Sequence, residues 1–224
     1  MTRPLFVSFE GIDGAGKTTQ IGLLSDYLER RGRTVRVLRE PGGTELGERI
    51  RELVLDGSPD DVVPWAEVSL FAAARAQLVA KEVRPALAAG SDVICDRYLD
   101  SSLAYQGLAR GLGADAVLDW SLRVTDGLLP DVTFLLVLGA DEASRRIEPS
   151  WTENPSAFPR SPPDRLERES PFFRCRVVEA YRELALRFPD RIVSLDAALP
   201  LASIAEAVRE RVASLLCGEP MVAR

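Results

Sequence analysis

Histidine is missing from all 224 residues of the chain. Without an imidazole there is no Ser-His-Asp triad, no histidine-assisted cysteine nucleophile and no zinc centre built on histidine. Any chemistry must run on carboxylates, arginines, lysine and backbone. Cysteine is scarce: Cys95, Cys175 and Cys217 form no CxxC pair. Their odd number, with no charged-then-apolar leader, points away from an exported disulfide scaffold and toward a reducing, cytoplasmic compartment. Lysine is confined to Lys17 and Lys81 among 28 basic residues, so a position that keeps it asks for a reason. The longest apolar run, around 132–140, falls short of the roughly 18 to 20 residues that span a bilayer, so no membrane partner is expected. A net charge of −6 disfavours generic nucleic-acid binding.

Five short runs of apolar, β-branched or aromatic residues lie at 5–9, 34–38, 92–95, 132–138 and 191–195. They are near-continuous rather than alternating, the pattern of parallel strands buried on both faces. Between them Ile21, Leu24 and Leu28, and later Ile204, Val208, Val212 and Leu215, recur at helical spacing. Alternating strands and helices predict an α/β domain whose crossover helices cover both faces of a parallel sheet. Gly32 after Arg31, and Gly90 after Ala89, mark helix ends. The length suits one domain, expected over 1–217, with 218–224 as a disordered tail. In the stretch 148–164, Pro149, Pro155, Pro159, Pro162 and Pro163 forbid a continuous helix, so a mobile surface loop is expected.

Gly11-Ile12-Asp13-Gly14-Ala15-Gly16-Lys17-Thr18 satisfies GxxxxGK[ST] between the first strand and the first helix, the context this motif requires. The glycines let successive N–H groups curl onto phosphate oxygens, and the helix adds its positive end. Lys17 supplies a compact cation for the β and γ phosphates, and Thr18 a hydroxyl for the Mg²⁺ that bridges them. The bland alternative is a glycine-rich turn with an incidental lysine; the flanks, and the rarity of lysine here, weigh against it. The motif implies a magnesium nucleoside triphosphate but leaves the class open, since GTPases, motors, transporters and small-molecule kinases share it. A guanine-reading Asn-Lys-x-Asp is excluded, because the one asparagine, Asn154, precedes a proline.

After the third strand come Asp96-Arg97-Tyr98, then Ser101-Ser102-Leu103-Ala104-Tyr105-Gln106-Gly107 and Arg110. The carboxyl ends of parallel strands face the ligand crevice, so Asp96 and Arg97 belong beside the loop ending at Lys17. A carboxylate there holds magnesium or orients an acceptor, and a guanidinium clamps a phosphate through two parallel hydrogen bonds. An isolated Asp-Arg is more often a strand-end ion pair. It is not isolated: Arg39-Glu40-Pro41-Gly42-Gly43-Thr44 closes the second strand, and Phe71-Ala72-Ala73-Ala74-Arg75 lies on the helix before the third.

These blocks, with Phe9-Glu10-Gly11 through Thr19-Gln20 and with Asp164-Arg165-Leu166-Glu167 running on to Phe172-Phe173 and Tyr181, resemble bacterial thymidylate kinases over nearly the whole chain. The resemblance implies a P-loop NTPase fold of the nucleoside monophosphate kinase type, in a homodimer that uses ATP and Mg²⁺ to convert dTMP to dTDP. It implies that Phe71 stacks on thymine, Arg75 bonds a base carbonyl, Asp13 takes the 3′-hydroxyl and Tyr105 fills the space of a ribose 2′-hydroxyl. Ser102 and Gln106 would line the pyrimidine pocket, Arg97 would grip the acceptor phosphate with help from Arg39, and Asp196-Ala197 would lie along the adenine. Stacking gives affinity for any base, whereas a fixed donor beside a carbonyl selects thymine or uracil over cytosine. No general base is required, because a phosphate monoester is already an anionic nucleophile.

With Gly14 in the phosphate loop, the resemblance expects a catalytic arginine from a lid near 145–165, with Arg160 first, then Arg146 and Arg165. This stretch is longer and richer in proline than the family pattern, and Gly139 stands where aspartate is usual. Two other readings stay open: another nucleoside or nucleoside monophosphate kinase, and a nucleotide-binding regulator with little kinase activity.

Overall fold

Five strands, β1 (Phe6–Glu10), β2 (Val35–Arg39), β3 (Asp92–Asp96), β4 (Val132–Val137) and β5 (Ile192–Asp196), form one sheet in the order β2-β3-β1-β4-β5. All four pairings are parallel, with Phe9 opposite Asp96 and Glu10 opposite Leu135. The fold comes from a computed structural model that describes residues 3–56, 61–147, 164–166 and 168–218. Residues 148–163, with Arg160 and the five prolines, and residues 219–224 of the expected tail lie outside the described residues.

The strands lie within a residue of the apolar runs, but their burial differs from the expectation. β1 is buried throughout, as are nearly all of β3 and β4, whereas β2 and β5 carry exposed positions, Val37 among them at 51%. β2 and β5 are the sheet edges, so each has a neighbour on one side only and a less complete helical cover.

On one face α1 (Lys17–Glu29) and α9 (Leu201–Cys217) bring Ile21, Leu24, Leu28, Val208 and Val212 against Val7, Phe9, Ile94 and Phe134. On the other face lie α3 (Pro64–Leu78), α6 (Ala114–Thr125) and α8 (Pro171–Arg187), with Leu78, Val117, Val177 and Leu184 against Phe6, Val93, Cys95 and Leu135. A π-helical turn, Val79–Val83, carries α3 into α4 (Arg84–Ala88), and a second, Leu103–Ala109, follows α5 (Leu99–Ser102). α2 (Glu45–Leu55) packs on α3, and α7 (Ala140–Ile147) follows β4. Helices on both faces of an all-parallel sheet are the architecture that the alternating pattern predicted. Gly32 and Gly90 both take positive φ at helix ends, as expected. Among the described residues no helix is long and apolar enough to cross a membrane.

Candidate functional site

The phosphate loop leaves the carboxyl end of β1 pressed against β4. Gly11 holds φ +129, and a Cβ there would sit 2.4 Å from the carbonyl oxygen of Leu136, so only glycine fits this approach. Gly14 and Gly16 also take positive φ, and α1 starts at Lys17 with no acidic residue in its first turn. The amide end of that helix therefore keeps its positive character. Lys17 is buried; its Nζ donates to the carbonyls of Gly11 at 3.1 Å and Ile12 at 3.2 Å and lies 3.4 Å from Asp13 Oδ1. Burial, and then the nearby Arg97, lower its affinity for a proton, while Asp13 opposes them.

Thr18 Oγ1, exposed, donates toward Asp96 Oδ2 at 3.5 Å. A hydroxyl and a carboxylate side by side at the mouth of the phosphate loop suit a hard cation that keeps most of its ligands from water and phosphate. Among the described residues no three His, Cys, Asp or Glu side chains gather into a fuller metal cage.

Arg97 follows β3, and its backbone N–H continues the ladder to the carbonyl of Phe9 at 2.9 Å. The adjacency of β1 and β3 thus delivers the guanidinium to the phosphate loop. Nη2 donates to Asp13 Oδ1 at 2.7 Å and Nη1 to the Gly11 carbonyl at 3.0 Å. Burial alone would raise the Asp13 carboxyl, but Arg97 and Lys17 hold it well below the usual carboxylate range. The ring of Tyr105 lies 5.7 Å from the guanidinium carbon, and burial pushes its hydroxyl up. The structure therefore brings Asp13, Lys17, Asp96, Arg97 and Tyr105 together, with Asp96 and Arg97 beside the phosphate loop as their place at a strand end predicts.

The pyrimidine-side residues are placed less simply. Phe71, half-buried on α3, packs against the cluster of Ile50, Val54 and Ala74. Arg75 is 1% exposed and lies in a polar cage: Nε donates to Glu40 Oε2 at 2.7 Å, Nη1 to Ser121 Oγ at 3.3 Å, and Nη2 to Ser102 Oγ at 2.9 Å and the Tyr98 carbonyl at 3.4 Å. A guanidinium has five N–H groups, so these contacts leave one, on Nη1, for a base carbonyl. Burial raises the Glu40 carboxyl to about 7 even though Arg75 pulls the other way, and Glu40 Oε1 is buried without a hydrogen-bond partner among the described residues. Ser102 thus stands beside Arg75, whereas the Gln106 amide is committed to Glu67 Oε1 at 2.6 Å.

The arginines expected to assist phosphoryl transfer separate. Arg39 is half-exposed and pairs with Glu48 at 2.8 Å. Arg146 donates to the Ala197 carbonyl at 3.0 Å, which places it beside the predicted adenine segment. Arg165, in contrast, is fully buried between α2 and α3: Nε donates to the Val54 carbonyl at 2.7 Å and Nη2 to Glu67. Burial would raise the Glu67 carboxyl, but Arg110, Gln106 and Arg165 hold it low. Arg165, expected among the lid arginines, therefore anchors its own segment against α2 and α3, and its guanidinium is occupied away from the phosphate loop. Gly139, where aspartate was expected, has open space for a Cβ, so the departure removes a group without any backbone cause.

Two groups escaped the sequence reading. Arg51 donates to the Pro41 carbonyl at 3.0 Å, and burial together with Arg39 and Arg97 weakens its hold on its proton, the mark of crowded cations. Glu10 stood only as part of a matching block, although a charged residue closing an otherwise buried strand is itself a signal.

A family model described as thymidylate kinase matches residues 9–208. The thymidylate kinase of Bifidobacterium longum subsp. infantis is 45% identical over 215 residues, covering 95% of this chain and 87% of that protein. That of Chlorobaculum tepidum is 46% identical over 200 residues, covering 89% and 92%. A crystal structure of thymidylate kinase from Ehrlichia chaffeensis superposes with a TM-score of 0.70 at 28% identity, covering 93% of this chain and 98% of that one.

Proposed function

The chain belongs to the thymidylate kinase family and is an ATP-dependent phosphotransferase acting on dTMP, and from that premise we propose how its residues divide the reaction that supplies dTDP for dTTP synthesis. The observation that carries the assignment is the convergence of two cations, one from the start of α1 and one from just beyond β3, on one carboxylate: Lys17 Nζ and Arg97 Nη2 both reach Asp13 Oδ1, at 3.4 and 2.7 Å. A donor and an acceptor phosphate must be brought into line against their mutual repulsion. Lys17 and the loop N–H groups from Gly11 to Thr18 face the donor; Arg97, assisted by Arg39, faces the acceptor.

Asp13 sits between them with its carboxylate ionised, an acceptor for the 3′-hydroxyl of the sugar. Phe71 and Arg75 take the base, Ser102 and Gln106 line its pocket, and Tyr105 walls off the ribose 2′ position. Thr18 and Asp96 are the residues that would hold Mg²⁺, which when bound neutralises phosphate charge. Arg160, or Arg146 beside the adenine segment, reaches the transferring group from a lid at 145–165. The whole is one catalytic domain over 1–217, working as a cytoplasmic homodimer.

The test is an acceptor panel. Purified protein with ATP and Mg²⁺ should release ADP in the presence of dTMP, much less with the cytidine or guanosine monophosphates, and less with UMP than with dTMP. A protein that binds ATP but turns over none of them would be a regulator, and the assignment would fall.

A further inference from the structure

Arg97 holds φ +68, the left-handed region that an arginine adopts only where its surroundings impose it. A carboxylate from the neighbouring strand imposes it here. On β1 the side chains of Phe6, Ser8 and Glu10 alternate onto one face of the sheet, and Glu10, which ends that row, is fully buried. Its Oε1 accepts the backbone N–H of Tyr98, the residue after Arg97, at 2.7 Å and that of Ser101 at 3.3 Å. Its Oε2 accepts the Ser101 hydroxyl at 2.6 Å and the Tyr181 hydroxyl, from α8, at 2.9 Å.

Those two hydroxyls are also partners of the guanidinium. Arg97 Nη1 lies 3.3 Å from Ser101 Oγ and 3.3 Å from the Tyr181 oxygen. A hydroxyl carries one proton. Once that proton is donated to Glu10, the oxygen can only accept, which is what a guanidinium requires. One buried carboxylate thus braces the turn behind Arg97 and sets the polarity of two of the four groups that its guanidinium meets.

We infer that Glu10 and Tyr181 are positioning residues for the acceptor phosphate: they set the backbone turn and guanidinium orientation of Arg97 without touching substrate themselves. The inference rests on the reading that Arg97 grips that phosphate. It assigns the two residues to phosphate recognition and leaves the base and sugar to others.

Two variants test it in the full-length protein. Tyr181→Phe keeps the ring and its edge-on packing against Tyr105, 6.3 Å between centroids, and removes only the hydroxyl. Glu10→Gln keeps the shape and one acceptor for the Tyr98 N–H but presents donors to the two hydroxyls. Binding of dTMP is compared with binding of thymidine, which has the same base and sugar and no phosphate. Each variant should weaken dTMP about tenfold, equivalent to about 1.4 kcal/mol, while thymidine affinity and the KM for ATP stay within about twofold. Unchanged dTMP affinity in both variants, or equal losses for dTMP and thymidine, would overturn the inference. Should Glu10→Gln fail to fold, Tyr181→Phe decides alone. Failure of the underlying reading looks different: wild-type protein would release no ADP with dTMP, or Arg97→Ala would bind dTMP as wild type does.

Discussion

Replacing Glu40 by glutamine sets two opposing energies against each other. The residue is 5% exposed, its carboxyl lies 2.7 Å from the Arg75 guanidinium through one oxygen, and the other oxygen has no partner among the described residues. Arg75 attracts the ionised form, by about 4 kcal/mol at 4 Å and an effective dielectric constant of about 20. Burial and the like charge of Glu10 oppose ionisation, and burial dominates. The other titratable groups that face it, Cys95 on β3 and Tyr98 after it, are both pushed up by burial and stay neutral. A carboxyl raised from 4.5 to about 7 holds its proton about 3 kcal/mol more tightly in the folded chain than in the unfolded one. Between those pH values the folded state binds more protons, so this group's contribution to stability falls as pH rises and is level above the window. Glutamine cannot titrate. Urea unfolding of wild type and Glu40→Gln at pH 5, 6, 7 and 8, at constant ionic strength, should show the variant gaining on wild type by about 2 to 3 kcal/mol from pH 5 to pH 8. If the variant instead loses ground as pH rises, the attraction of Arg75 outweighs burial and the reasoning is wrong.

Lys17→Ala and Arg97→Ala should each lower kcat by about 10²-fold or more, since each removes charge from a transition state stabilised by electrostatics; near-normal steady-state turnover in either would break the division of roles. Gly11→Ala forces a Cβ to within 2.4 Å of a backbone oxygen at φ +129, so ATP binding measured by calorimetry should be lost, with stability lowered by about 2 kcal/mol or more. Among the described residues, Arg165→Ala leaves Glu67 with Arg110 and Gln106. It should cost about 2 kcal/mol of stability by chemical denaturation, while kcat per folded molecule falls far less than in Arg97→Ala; an equal fall would make Arg165 a participant in transfer.

Strands, helix ends and the phosphate loop are local properties of the chain, and they were legible because local periodicity and single glycines encode them. The proposed donor side of the site is legible for the same reason, since eight consecutive residues make up its motif. The acceptor side depends on distant partners. The resemblance makes Arg75 a base-facing cation; its confinement needs Glu40 from just after β2 and Ser121 from α6, and no spacing rule connects those three. Arg165 shows the same limit more sharply. The resemblance counts it among the candidate lid arginines, but α3 supplies Glu67 to bury it. Edge exposure of β2 and β5 also follows from strand order, which a run of apolar residues does not contain.

The parallel pairing of β1 with β3 has a consequence for redesign. Neighbouring strands are held about 4.8 Å apart by backbone hydrogen bonds, one of the stiffest repeat lengths a protein offers. Lys17 opens α1 at the end of the loop after β1 and Arg97 follows β3, so that spacing underlies the separation of the two proposed anion grips. In the proposed division of roles the residues that face the base lie elsewhere, on α3, α5 and the π-helical turn after it. Acceptor choice can therefore be altered by substitution on those helices while the gap that the phosphoryl group must cross keeps its length.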